Sequence, residues 1–202
     1  MEKRLIAENP VIYTVDDILT PEECSAIIEK ATPHMKVAGV SAMPGQRGFE
    51  KGVYKGRTNS SYWMDKAEFP EVCERIADMI GCSVAHFEKM QVIHYKVGEE
   101  YKFHYDAYDR TDKEKYKHFC SERGNRIKTA LIYLNEVEEG GETAFNKILP
   151  FGEHLRVAPK TGRAVVFHNV NYDGSLNKYS SHAGLPVIKG EKWAFNLWLR
   201  EC

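Results

Sequence analysis

Two stretches in the first half of the chain carry the three-to-four-residue spacing of an amphipathic helix. In the first, Cys24, Ile27, Ile28 and Ala31 fall on one face, because side chains at that spacing lie above one another on a helix. Thr20 precedes them as a capping residue, Pro21 takes the first helical position, and Glu23 stands three residues after the cap, as in a capping box. The second helix is predicted from about Pro70, with Val72, Cys73, Ile76, Met79 and Ile80 on one face and Gly81 to end it. Between them runs GVSAMPGQRGFEKGVYKGRTNSS, with glycines at 39, 45, 48, 52 and 56. A stretch this long without its own structure is either a loose excursion or a lid over a functional site, and both readings stay open.

From residue 89 the pattern shortens to that of strands. MQVIHYKV, YKFHYD, IKTALIYL, ETAFN, HLRVAP, RAVVFHN, HAGLPV and KWAFNLWL are short, rich in β-branched and aromatic residues, and separated by turn residues. Strands without helices between them argue against a parallel α/β sheet and fit a sandwich or jelly roll. A charged segment, AYDRTDKEKYKHFCSERGNR, interrupts them and reads as a solvated loop. The expectation is one domain over residues 1–202, mostly β with flanking α. It has a helical N-terminal part to about residue 88, packed on one outer face of a jelly-roll core from about 89.

Composition narrows the function. With 28 Lys and Arg against 29 Asp and Glu, the net charge is −1, so the basic excess that nucleic-acid binding requires is missing. The chain starts without a signal-peptide pattern and nowhere reaches 18 consecutive apolar residues, so no membrane partner is expected. Five scattered cysteines, 24, 73, 82, 120 and 202, form no C-x-x-C pair, which suits reduced thiols in a cytoplasmic-type compartment. A monomer or small homo-oligomer is the expected assembly.

The chemistry concentrates in His104-Tyr105-Asp106. On a strand, residues two apart share a face, so this imidazole and carboxylate can meet at one metal. A His-x-Asp pair alone says little. A second histidine from a later strand would complete the two-His, one-carboxylate facial triad that leaves three positions open on ferrous iron. His182 and His168 compete for that place. Lys192 lies ten residues after His182, a cation suited to the far carboxylate of a chelating 2-oxoglutarate, although Lys178 stands at the same distance after His168, so spacing alone leaves both histidines open.

With these residues in view, the sequence resembles the prolyl 4-hydroxylase family of 2-oxoglutarate oxygenases from about residue 11 to 200. The matching stretches are QVIHYKVGEEYKFHYD, RIKTALIYLNEVEEGGETAF, PKTGRAVVFHN and SSHAGLPVIKGEKWAFNLWL. The resemblance implies a double-stranded β-helix and iron ligation by His104, Asp106 and His182. It also implies a 2-oxoglutarate salt bridge to Lys192, with O2 as oxidant and ascorbate as a reductant. By the same resemblance, Tyr95, Thr129 and Tyr133 surround 2-oxoglutarate, and Tyr101, Arg126 and the Arg57 segment line a groove for a proline-containing peptide or protein. Trp198 matches a buried aromatic near the metal.

Leu185 departs from the cysteine that many secretory members carry there, in keeping with a reducing compartment. No peptide-substrate-binding domain or membrane anchor is evident, so a small stand-alone microbial or viral type of enzyme is expected. The Asp106 carboxylate argues against a halogenase. Free proline or another side chain as target remains the alternative within the enzyme class, and a non-catalytic 2-oxoglutarate- or metal-binding module the alternative outside it.

Overall fold

The structure, a computed structural model, describes residues 2–41, 56–146, 148 and 154–201. In chain order the strands are β1 (Arg4–Glu8), β2 (Val11–Val15), β3 (Lys36–Val37), β4 (Ser60–Met64), β5 (Met90–Tyr95), β6 (Tyr101–His104) and β7 (Arg126–Tyr133). They continue with β8 (Glu139–Gly140), β9 (Thr143–Phe145), β10 (Leu155–Val157), β11 (Ala164–His168), β12 (His182–Gly184), β13 (Val187–Lys189) and β14 (Lys192–Arg200). The α-helices are α1 (Pro21–Ala31), α2 (Pro70–Ile80) and α3 (Lys113–Cys120).

A large sheet runs in the order β1-β2-β11-β7-β14-β5-β4-β3, a second one β10-β9-β12-β6, and β13 pairs with β8. Alternation along the large sheet fixes its two faces. Ala130 and Ile132 of β7, Val166 of β11 and Phe195 and Leu197 of β14 join Cys24, Ile27, Val72, Cys73 and Ile76 of α1 and α2 in one buried cluster. Their neighbours Leu131, Tyr133, Val165, Phe167 and Ala194 turn the other way, into a second cluster with Phe145 and Val157 of the smaller sheet. Fully burying one such aliphatic or aromatic side chain contributes roughly 1.5–3 kcal/mol, so a one-residue slip of any central strand would be costly. Two facing antiparallel sheets with α1 and α2 on one outer face form the expected mostly-β jelly roll.

Both expected helices form as read. Thr20 Oγ1 accepts the Glu23 N–H and Glu23 Oε2 accepts the Thr20 N–H, a cap worth about 1 kcal/mol. Gly81 closes α2 at φ 80°, a left-handed turn that a side chain would strain.

Four features depart from the sequence reading. The N-terminal part is not purely helical: β1 and β2 extend the large sheet beyond β11, and β4 extends it beyond β5. The charged segment holds α3, capped by the Asp112 carboxylate on the Lys115 N–H; with Cys120 its only buried residue, it has no apolar stripe to betray it. β6 stops at His104, so Asp106 lies beyond the strand, and regular pleating is not what brings the two together. HAGLPV splits into β12 and β13 around Leu185-Pro186. Of the glycine-rich stretch considered as a lid, residues 42–55 lie outside the described residues.

Candidate active site

His104 and His182 are direct cross-strand partners on β6 and β12, with ring centroids 4.3 Å apart. The turn after β6 then swings Asp106 beneath both. His104 Nε2 is 3.8 Å from Asp106 Oδ1, and His182 Nε2 is 3.5 Å from Asp106 Oδ2. One ligand atom from each of the three residues falls within 4.8 Å of the others, the one such group among the described residues. His168, at the end of β11, stays outside it.

Each imidazole has its tautomer fixed from behind. His104 Nδ1 lies 2.8 Å from the Lys102 carbonyl and His182 Nδ1 3.0 Å from the Ser180 carbonyl. A carbonyl only accepts, so both Nδ1 atoms carry the proton and donate it, and both Nε2 atoms face the carboxylate. Burial works against the Asp106 carboxylate. The neighbouring His182 and His104 rings, Arg126 and the Thr129 hydroxyl nevertheless hold its pKa below the ordinary carboxylate range. Burial, joined by the nearby His182 ring, pushes His104 below the ordinary imidazole range. An anionic carboxylate and an unprotonated imidazole nitrogen are the forms that coordinate a metal, so the donor set and its tautomers fit ferrous iron.

The trio opens into a cavity of about 650 Å³ that also reaches Tyr95, Thr143, Gly184 and Lys192. Lys192 begins β14, pairs with Tyr95 of β5, and is 1% exposed. Its Nζ sits 5.2 Å from the Tyr95 ring centroid and 5.3 Å from that of Tyr133. Among the described residues no carboxylate lies within ion-pair distance of it. Burial pushes its pKa down to about 7, with Glu142 alone opposing. A cation so placed, in the same cavity as three convergent ligands, fits the far carboxylate of 2-oxoglutarate.

The three expected 2-oxoglutarate contacts separate in space. Tyr95 lines the cavity. The Tyr133 hydroxyl is engaged with Thr143 Oγ1 (2.7 Å) and the Val157 carbonyl (3.0 Å), and it is Thr143 that lines the cavity. The Thr129 hydroxyl donates to Asp106 Oδ2 at 2.6 Å, which ties it to the carboxylate of the trio. Thr129 and Tyr133, four residues apart on β7, share a face.

The expected groove residues come together along the cavity wall. Tyr101 stacks on His104 with centroids 3.6 Å apart, and the Arg57 guanidinium lies 4.5 Å over the Tyr101 ring. Arg57 donates to Asn59, the Gly39 carbonyl and Gln91. Arg126 is bound by two hydrogen bonds to Glu88, at 2.6 and 2.8 Å, an anion it shares with Arg200. Its guanidinium caps the Trp198 ring at 3.7 Å. Sequence reasoning passed over Trp63: on the cavity-facing side of β4 it packs 5.5 Å from Trp198 and remains 43% exposed. Its β4 partner position opposite Gln91 was hidden while that strand went unrecognised.

Comparison with known proteins agrees with this geometry. The model of the 2OG-Fe(II) oxygenase superfamily matches residues 90–200. Prolyl 4-hydroxylase 5 of Arabidopsis thaliana is 35% identical over 211 residues, covering 96% of this chain and 69% of that protein. The human prolyl 4-hydroxylase subunit alpha-1 is 32% identical over 197 residues, covering 96% of this chain and 35% of that one. Among solved structures, the 2OG complex of the viral collagen prolyl hydroxylase from Paramecium Bursaria Chlorella virus-1 superimposes with a TM-score of 0.71. It is 27% identical, covering 98% of this chain and 99% of that chain.

Proposed function

The chain belongs to the 2OG-Fe(II) oxygenase superfamily, and from that premise we propose that it hydroxylates prolyl residues within peptides or proteins. His104, Asp106 and His182 hold Fe(II) in this reading, and Lys192 holds the distal carboxylate of 2-oxoglutarate. The observation that carries it is a single cavity joining the His-Asp-His trio to a buried lysine without a carboxylate partner among the described residues. The prolyl target is drawn from relatives named prolyl 4-hydroxylase.

When bound, iron and 2-oxoglutarate supply the oxidising chemistry: O2 is consumed, 2-oxoglutarate leaves as succinate and CO2, and one oxygen atom enters a prolyl C–H bond. The protein's residues supply placement. The Lys102 and Ser180 carbonyls hold both imidazoles with Nε2 forward. Tyr95 and Thr143 wall the pocket that ends at Lys192. Tyr101, held between Arg57 and His104, and the Trp63–Trp198 pair offer aromatic surface to an extended peptide. Arg126, tied down by the Glu88 carboxylate that it shares with Arg200, shapes the wall through Trp198.

The test is turnover of a short proline-rich peptide against free proline, with Fe(II), 2-oxoglutarate and O2, read as hydroxyproline. Preferred turnover of the peptide supports the proposal. Turnover of free proline alone would move the target to the amino acid.

A further inference from the structure

One residue stands at the root of hydrogen-bonded paths to two of the three ligand side chains. Asn169 follows β11 and is completely buried. Its Nδ2 donates to Thr129 Oγ1 at 2.9 Å, and Thr129 passes its own proton to Asp106 Oδ2 at 2.6 Å. On the main chain, the Asn169 carbonyl accepts the Asn177 N–H at 3.0 Å. The Asn177 carbonyl accepts the Ser180 N–H at 3.0 Å and the Ser180 hydroxyl at 2.8 Å. The Ser180 carbonyl then accepts from His182 Nδ1.

The side-chain arm carries an uncompensated group. Asn169 Oδ1 is buried with no partner among the described residues, and a buried polar atom left unpaired is costly. Turning the amide over would not relieve it. Thr129 Oγ1 would then face two acceptors, Asp106 at 2.6 Å and Asn169 at 2.9 Å, with one proton between them. Only with its NH2 toward Thr129 does Asn169 fill the hydroxyl's acceptor side and send the threonine proton to the carboxylate. The arrangement satisfies Asp106 and leaves Asn169 wanting.

We infer that Asn169 is a positioning residue of the metal site, orienting Asp106 through the Thr129 hydroxyl and His182 through the turn that its main chain suspends. The inference rests on His104, Asp106 and His182 being the metal ligands. Without the side-chain arm, the Asp106 carboxylate is free to rotate away from the two Nε2 atoms it now faces. Groups that orient a ligand in this way typically change metal affinity by about 10–100-fold.

Anaerobic Co(II) titration followed by visible absorption, with no cosubstrate present, reads the site directly, and a thermal melt of each variant reports folding. Thr129→Val removes the hydroxyl at nearly constant shape and should raise the Co(II) Kd about 10–100-fold with an altered ligand-field spectrum. Thr129→Ser should restore both. Asn169→Leu should weaken binding about 3–10-fold, a partial loss just below the 10–100-fold typical of groups that orient a ligand, and the double variant should be no worse than Thr129→Val, because asparagine acts through threonine. Folded Thr129→Val that binds Co(II) within about twofold of the unaltered protein, with an unchanged spectrum, overturns the inference, provided His182→Ala has lost binding. If His182→Ala binds as tightly as the unaltered protein, the ligand assignment itself fails and the inference with it. A folded Asn169→Leu that binds Co(II) within about twofold of the unaltered protein likewise overturns the inference, and should that variant not fold, Asn169→Ala takes its place.

Discussion

Replacing Lys192 with methionine should stabilise the cosubstrate-free protein while stripping it of most of its affinity for 2-oxoglutarate. The amine is 1% exposed, and burial moves its pKa from 10.5 to about 7. At pH 7 such a displacement corresponds to on the order of 4 kcal/mol of folding free energy. Methionine occupies a similar volume without charge, and replacing a buried charge by an apolar group typically recovers about 1–4 kcal/mol. Each kcal/mol moves Tm by about 2–4 °C in a chain of this size, so a rise of several degrees is expected. The sign with pH follows from a folded-state value below the unfolded one. The lysine's penalty is full below about pH 7 and fades as pH climbs toward 10.5. The methionine variant's advantage should therefore be largest near and below neutrality and shrink in alkali. Against this gain stands the lost charge-assisted hydrogen bond, worth about 1.5–3 kcal/mol, or roughly 10- to 150-fold in the 2-oxoglutarate Kd. Lys192→Ala should show the same loss in KM, and Lys192→Arg should recover part of it. Calorimetry with and without 2-oxoglutarate measures both halves. Added cosubstrate should raise the Tm of the unaltered protein and leave that of Lys192→Met nearly unmoved. A methionine variant no more stable at pH 7, with 2-oxoglutarate affinity within about twofold, would refute the reasoning.

His104→Ala, Asp106→Ala and His182→Ala should each abolish hydroxylation, whereas His168→Ala should retain it; iron bound normally by His182→Ala but lost in His168→Ala would reverse the assignment. Binding of 2-oxoglutarate should take up protons, because a carboxylate beside Lys192 raises a pKa that lies near 7 in its absence. Titration calorimetry at pH 8 in buffers of different ionisation enthalpy measures that uptake, and Tyr95, Tyr133 and Glu142 are the other titratable groups facing the amine. A buffer-independent heat would contradict it. Trp63→Ala should raise the KM for a proline-rich peptide about 3- to 10-fold, the worth of one aromatic contact, with the KM for 2-oxoglutarate unchanged; equal changes in both would point to a wider disturbance.

The features that could be read from the sequence are those whose signals are local. Thr20, Pro21 and Glu23 start α1 by hydrogen bonds three residues long, and Gly81 ends α2 through its own φ. The trio and Lys192 were legible because their spacing coincides with a dense family resemblance. Strand β2, VIYTV, carries the β-branched and aromatic signal of a strand and was readable, whereas β1 and β4, five residues of mixed polarity each, become strands only by pairing with β2 and β5. Helix α3 escaped because it buries only Cys120. The direction of the Thr129 hydroxyl was out of reach for a related reason. Its partners Asp106 and Asn169 lie 23 and 40 residues away in sequence, and only the assembled sheets bring them within reach.

The most direct test of prolyl hydroxylation is incorporation of isotopically heavy O2. The protein, loaded with Fe(II) and 2-oxoglutarate, is given a proline-rich peptide under labelled O2 in ordinary water, and both products are analysed by mass spectrometry. The account predicts one heavy oxygen atom in a prolyl ring of the peptide and one in succinate, in equal amounts. Labelled succinate formed beside an unmodified peptide, or a prolyl hydroxyl whose oxygen comes from water, would contradict it.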